Sequence, residues 1–132
     1  MMNHDVSPPA PPLEIDHVQI AAPPGAETAA RHFFGEVLGL RELPKPAPLA
    51  ARGGAWFACG SLQLHIGIES EFRAQKKAHV GLRLADLAAL AALRSRIESF
   101  GIATRDGDNA GGMVRFYADD PWGNRMEFVT TG

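Results

Sequence analysis

Cysteine is nearly absent: Cys59 stands alone among 132 residues. No internal disulfide framework is open to such a chain, and a reducing cytoplasm suits it. Between Ala58 and Gly60 in an apolar run, Cys59 reads as a small packed residue rather than a reactive thiol. No apolar run approaches the ~20 residues needed to cross a bilayer, and no charged-then-apolar secretory signal opens the chain. Basic runs are missing as well. With 13 Lys and Arg against 15 Asp and Glu, the net charge is −2, so nothing invites a nucleic-acid backbone. What is present is ordinary for a globular domain, 45% apolar and 21% charged, in a length that allows one sizeable core. Proline gathers at the start, where residues 1–12 read as a disordered or polyproline arm with His4 a solvated tail residue.

The chain repeats itself. His79 follows His17 by the same interval, 62 residues, that separates Glu127 from His65 and Gly101 from Gly39. Two copies of one unit of about 60 residues account for this, and residues of metal-binding type hold matched places in both.

Each copy reads as βαβββ. Residues 15–21 alternate as a half-buried strand, and Pro23-Pro24-Gly25 breaks them. A helix follows through Leu40, with Phe33, Phe34, Val37 and Leu38 as its apolar stripe and Gly39 as a left-handed cap. Strands are expected at 41–43, 56–59 and 62–68, with a proline-rich loop at 44–51. The charged stretch 69–77 links the units. The second unit has a strand at 78–84 and a helix capped by Asp86, with Leu87, Leu90, Leu93, Ile97 and Phe100 on one face and Gly101 at its end. Strands at 103–105, 113–117 and 125–130 complete it, the last two joined by the turn Asp120-Pro121-Trp122-Gly123-Asn124. The expected organisation is the arm 1–12 and one domain over 13–130, made of module one (13–68), the linker 69–77 and module two (78–130).

Strand alternation decides which residues share a face. Leu62, Leu64 and Ile66 point opposite to Gln63 and His65; Val80, Leu82 and Leu84 oppose His79 and Arg83. Val18 and Ile20 oppose His17 and Gln19, though Ile15 shares the histidine face, and Met126 and Phe128 oppose Arg125 and Glu127. One sheet face is apolar and suits helices. The other is polar and carries His17, His65, His79 and Glu127. A lone strand histidine is ordinarily a hydrogen-bonded structural residue, and a lone strand glutamate a solvated one or an ion pair with Arg125 or Arg83. Three imidazoles and a carboxylate at matched positions point together to a divalent metal, and zinc, nickel, iron(II), manganese and cobalt all accept such donors. Arg115 and Tyr117 alternate against Val114 and Phe116 toward the same cup, as candidates to hold an anionic substrate group; Trp56 and Phe57 are candidates for its apolar wall.

Three stretches resemble the vicinal oxygen chelate superfamily, the glyoxalase, bleomycin-resistance and extradiol-dioxygenase group. They are Asp16-His17-Val18-Gln19-Ile20, the helix ending Phe33-Phe34-Gly35-Glu36-Val37-Leu38-Gly39-Leu40, and Asp120-Pro121-Trp122-Gly123-Asn124-Arg125-Met126-Glu127-Phe128. The resemblance spans residues 13–130. It implies an α+β fold: two tandem βαβββ modules forming a curved mixed-sheet cup with helices on the outer face. It places metal ligands at His17, His79 and Glu127, with a fourth from the strand carrying Gln63 and His65. Repeat spacing favours His65, and Gln63 stands near where glyoxalase I has a glutamate, as a substrate-contacting or outer residue. The set then has one carboxylate where glyoxalase I-like sites typically carry two.

The chemistry implied by the resemblance is chelation of a substrate through two neighbouring oxygens, in a lyase, isomerase or dioxygenase, with Glu127 as ligand or base. Two alternatives come with the family: a metal-free, bleomycin-resistance-like sequestering protein, and a fosfomycin-resistance-like thiol transferase using His17, His79 and Glu127. The resemblance also implies a homodimer, with His17 and His65 of one chain facing His79 and Glu127 of the other.

Overall fold

The structure, a computed structural model, describes residues 12–132. The proline-rich arm and His4 lie outside the described residues, save for Pro12. The order of elements is β1 (His17–Ala22), helix α1 (Glu27–Ala30, continuing in wider winding over Arg31–Val37), β2 (Glu42–Leu43), α2 (Ala47–Ala50), β3 (Ala55–Cys59) and β4 (Leu62–Ile68). Then come β5 (Val80–Arg83), α3 (Leu87–Ser99), β6 (Arg105–Asp106), β7 (Met113–Asp119) and β8 (Arg125–Thr131). They form two four-stranded mixed sheets, β1-β4-β3-β2 and β5-β8-β7-β6, with the first pair of each parallel. The architecture is α+β and open, with no closed barrel.

The repeat survives as register. Val18 pairs with Leu64 across β1 and β4, and Val80 with Met126 across β5 and β8, so both parallel pairs hold the 62-residue interval. One step outward, Trp56 pairs with His65 and Tyr117 with Glu127. The interval between Trp56 and Tyr117 is one residue shorter, because the chain takes ten residues from Tyr117 round to Glu127 and nine from Trp56 round to His65. A single-residue slip of a strand would send its side chains to the opposite face. The turn absorbs the difference and leaves His65 and Glu127 equivalent.

The apolar faces and helix stripes share one core. Phe33, Phe34, Phe57, Phe116 and Phe128 are at most 1% exposed, with Val37, Leu64, Ile66, Ile97 and Met126 among them. Phe33 and Phe34 are consecutive, and both reach the core because the winding there is wider than an ordinary α-helix: the Leu38 amide bonds the Phe33 carbonyl, five residues back. Gly39 (φ +75°) and Gly101 (φ +79°) end the two helices in the left-handed region, as their sequence predicts, and Asp86 caps α3 by accepting from the Ala89 amide.

Beyond the shared core, several contacts join the modules. Trp122 stacks on Phe34, with centroids 6.5 Å apart. Arg96 of α3 donates to the carbonyls of Val37 and Glu36 at 3.0 and 2.8 Å, satisfying backbone oxygens that the end of α1 leaves open. Asn124 donates to the Ala21 carbonyl in β1 and accepts from the Gln75 amide in the linker, each at 2.9 Å. Asp120 anchors this turn by accepting from the Trp122 and Asn124 amides and the Asn124 side chain. Burial raises the Asp120 carboxyl above its ordinary value, against those hydrogen bonds.

Candidate functional site

Alternation along β1, β4, β5 and β8 puts the four repeat-matched residues on the polar faces, and each module brings its own pair together. In the first, the rings of His17 and His65 stack at 4.3 Å and 14°. His65 is also covered on its other flank by Trp56, at 4.0 Å and 3°. Its Nε2 lies 2.9 Å from Gln63 Oε1, an acceptor, so Nε2 carries the proton and Nδ1 the lone pair. Burial and then the neighbouring His17 hold the His65 imidazole below its usual pKa. His17 is more open. Its Nδ1 donates to Asp16 Oδ2 at 3.0 Å, which leaves Nε2 free as an acceptor.

In the second module, His79 Nδ1 donates to the Lys77 carbonyl at 2.9 Å. Its Nε2 faces Glu127 Oε1, also at 2.9 Å, across the edge of the cup. An imidazole lone pair and a carboxylate oxygen both accept, so whatever lies between them is cationic, a proton or a metal ion. The other oxygen, Oε2, is held by Arg115 Nη1 at 3.2 Å. Glu127 itself is 9% exposed. The Tyr117 ring meets His79 edge-on at 6.1 Å and lies under the Arg125 guanidinium at 5.5 Å.

The His79–Glu127 pair therefore fits a divalent cation in donor type and in aim. The first pair fits in donor type. His17 presents a free nitrogen at Nε2, and His65, held flat between two rings with its Nε2 engaged by Gln63, keeps the in-plane lone pair of Nδ1. Among the described residues, no group of three or more His, Cys, Asp or Glu gathers within the chain closely enough to hold a metal.

Two candidates for substrate contact lie on the polar face as expected: Arg115 and Tyr117, both beside Glu127. Gln63 also faces the cleft, bonded to His65. Phe57 does not. It is fully buried on the opposite face of β3, against Phe34 at 5.7 Å, because alternation turns it inward as surely as it turns Trp56 outward. Sequence reasoning passed over Lys45, Arg52 and Asp16, which line the first module's cavity with His17, Trp56 and His65. The available signal was two isolated cations, Lys45 and Arg52, bracketing a segment otherwise made of proline, leucine and alanine.

Paired βαβββ modules, with chemically competent side chains on the polar faces, define a glyoxalase-type fold. A glyoxalase family protein from Bacillus anthracis is 40% identical over the whole of both chains, with a TM-score of 0.84. A glyoxalase/dioxygenase from Nostoc punctiforme superposes with a TM-score of 0.74 at 22% identity, covering 99% of each chain. A lactoylglutathione lyase from Agrobacterium tumefaciens does so at 0.73 and 21%, covering 90% of this chain and 94% of its own. These two show the fold alone. No family model and no curated protein matches the chain. The chain belongs to the glyoxalase family, within the vicinal oxygen chelate superfamily. Among the described residues, no helix is long and apolar enough to cross a membrane.

Proposed function

We propose that this protein is a cytoplasmic, metal-dependent enzyme that binds a small molecule through two neighbouring oxygens, with its active centre assembled between two copies of the chain. The observation that carries the reading is the His79–Glu127 pair, two acceptor atoms 2.9 Å apart with the histidine tautomer set by the Lys77 carbonyl. His17 and His65 of one copy would face His79 and Glu127 of a second, a reading supported by the lack, among the described residues, of three candidate ligands gathered within one chain. Zinc, nickel, iron(II), manganese and cobalt all suit imidazole and carboxylate donors. When bound, the ion supplies Lewis acidity to a substrate oxygen.

The chain's own residues do the rest. Arg115 fixes one oxygen of Glu127 and leaves the other to ligate or to take a proton from the substrate. Gln63 and Tyr117 lie where they would contact bound substrate, and Trp56 walls the cleft. A lyase, isomerase or dioxygenase would use this arrangement.

Metal content of untagged, chelator-free protein, measured by plasma mass spectrometry, tests the proposal. Near-stoichiometric metal that is lost in both His79→Ala and Glu127→Ala is the expected result. Metal-free protein that also refuses added zinc, nickel, manganese and iron(II) would overturn it, in favour of ligand sequestration in the cup.

A further inference from the structure

The first module holds a cavity of about 580 Å³, a usual size for a small-molecule site. Its floor is an aromatic ladder in which Trp56, His65 and His17 lie nearly parallel, 4.0 and 4.3 Å from one ring to the next. Its rim carries Lys45 and Arg52, from the segment around α2. Among the described residues neither of these cations is in an ion pair. Lys45 touches only the Gly53 carbonyl. The nearby acids are engaged elsewhere: Asp16 with His17, and Glu27 with the Gly54 amide at 2.6 Å. Because the three rings lie face to face, the side of the ladder presents their electropositive edges, and edges and cations alike favour a negative charge.

We propose that this cavity binds a small organic carboxylate, seated over the edges of the Trp56–His65–His17 ladder with its carboxylate between Lys45 and Arg52. The inference rests on the proposed function only in taking this ligand for the substrate. The binding itself needs no metal. Lys45 and Arg52 set specificity through charge.

Isothermal titration with two probes tests it, on protein as purified and after chelation: 2-naphthoate and its neutral amide 2-naphthamide. Saturable binding of 2-naphthoate is expected in both preparations, with 2-naphthamide weaker by about tenfold. Lys45→Gln and Arg52→Gln should each weaken 2-naphthoate by about fivefold, the scale of one exposed charge contact, and leave 2-naphthamide unchanged. Equal affinity for acid and amide, no loss in either variant, or no saturable binding would overturn the inference. Metal content separates the two proposals. Chelator-insensitive, charge-sensitive naphthoate binding by a protein that takes up no metal defeats the metal reading alone. A loaded metal site with charge-insensitive probes defeats this one alone.

Discussion

Trp56 and His65 stand directly opposite one another in β3 and β4, with their rings 3° from parallel, and the second module puts Tyr117 opposite Glu127 in the same place. The first module thus secures its candidate ligand by stacking, and the second by the Arg115 ion pair and the close approach of His79. Removing the indole should expose His65 to water. In Trp56→Ala the His65 midpoint, followed by NMR of the imidazole C–H signals, should rise toward its ordinary value. The variant should also lose about 2 kcal/mol, less than a fully buried tryptophan would cost. An unchanged midpoint would mean that the sheet, and not Trp56, desolvates the ring.

Two carboxylates give opposite pH signatures. The Gly54 amide, first among several causes, lowers the Glu27 carboxyl below its ordinary 4.5. Its contribution to stability is therefore complete above that value and is lost as pH falls through the lowered one. Urea midpoints should show Glu27→Gln about 1 kcal/mol less stable than wild type at neutral pH, converging with it in acid.

Asp120 runs the other way. Burial raises it above 3.8, so the folded chain holds the proton more tightly than the unfolded chain does. The advantage of wild type over Asp120→Asn should be largest below 3.8 and should shrink as pH climbs through the raised value. A difference that grows with pH would show that the hydrogen bonds from Trp122 and Asn124 outweigh desolvation.

A centre shared between chains has its own genetics. Under the proposed two-chain centre, co-expressed His17→Ala and His79→Ala chains would form a mixed dimer in which one centre lacks both histidines and the other keeps its full set. Purified by two distinct tags that are then removed, the mixed dimer should hold about half the wild-type metal per dimer, although neither variant alone retains any. No recovery would place the centre within single chains.

Gly54 sits at φ +84°, and a Cβ added there would lie 2.1 Å from the Ile66 carbonyl oxygen, an atom of the β4 backbone. Gly54→Ala combines left-handed strain with a backbone clash and should cost about 2 kcal/mol or more. Gly39→Ala, at φ +75° with no atom within 4 Å of the new Cβ, carries strain alone and should cost less. Thermal unfolding of the two variants ranks them.

The modules were legible because periodicity and punctuation agreed: His17–Ala22 and Leu62–Ile68 alternate, and Gly39, Asp86 and Gly101 sit at helix ends. The short helix Ala47–Ala50 was hidden in a segment read as loop, since Pro46 and Pro48 disguise a single turn that Pro46 can open. The expected strand at 103–105 lies instead at Arg105–Asp106, where only two residues pair with β7. Within the site, alternation told which face each residue takes. It could not tell that His17 and His65 would lie flat on each other, because ring orientation depends on Trp56, which arrives from another strand.

The contact between Phe34 and Trp122 has a consequence for how the protein is made. A ribosome delivers every residue of the first module while the indole that packs on its phenylalanine is still unsynthesised. Until the chain is nearly finished, that flank waits for a cover encoded at the far end of its own message. A stop codon anywhere before that turn would leave Phe34 without its indole.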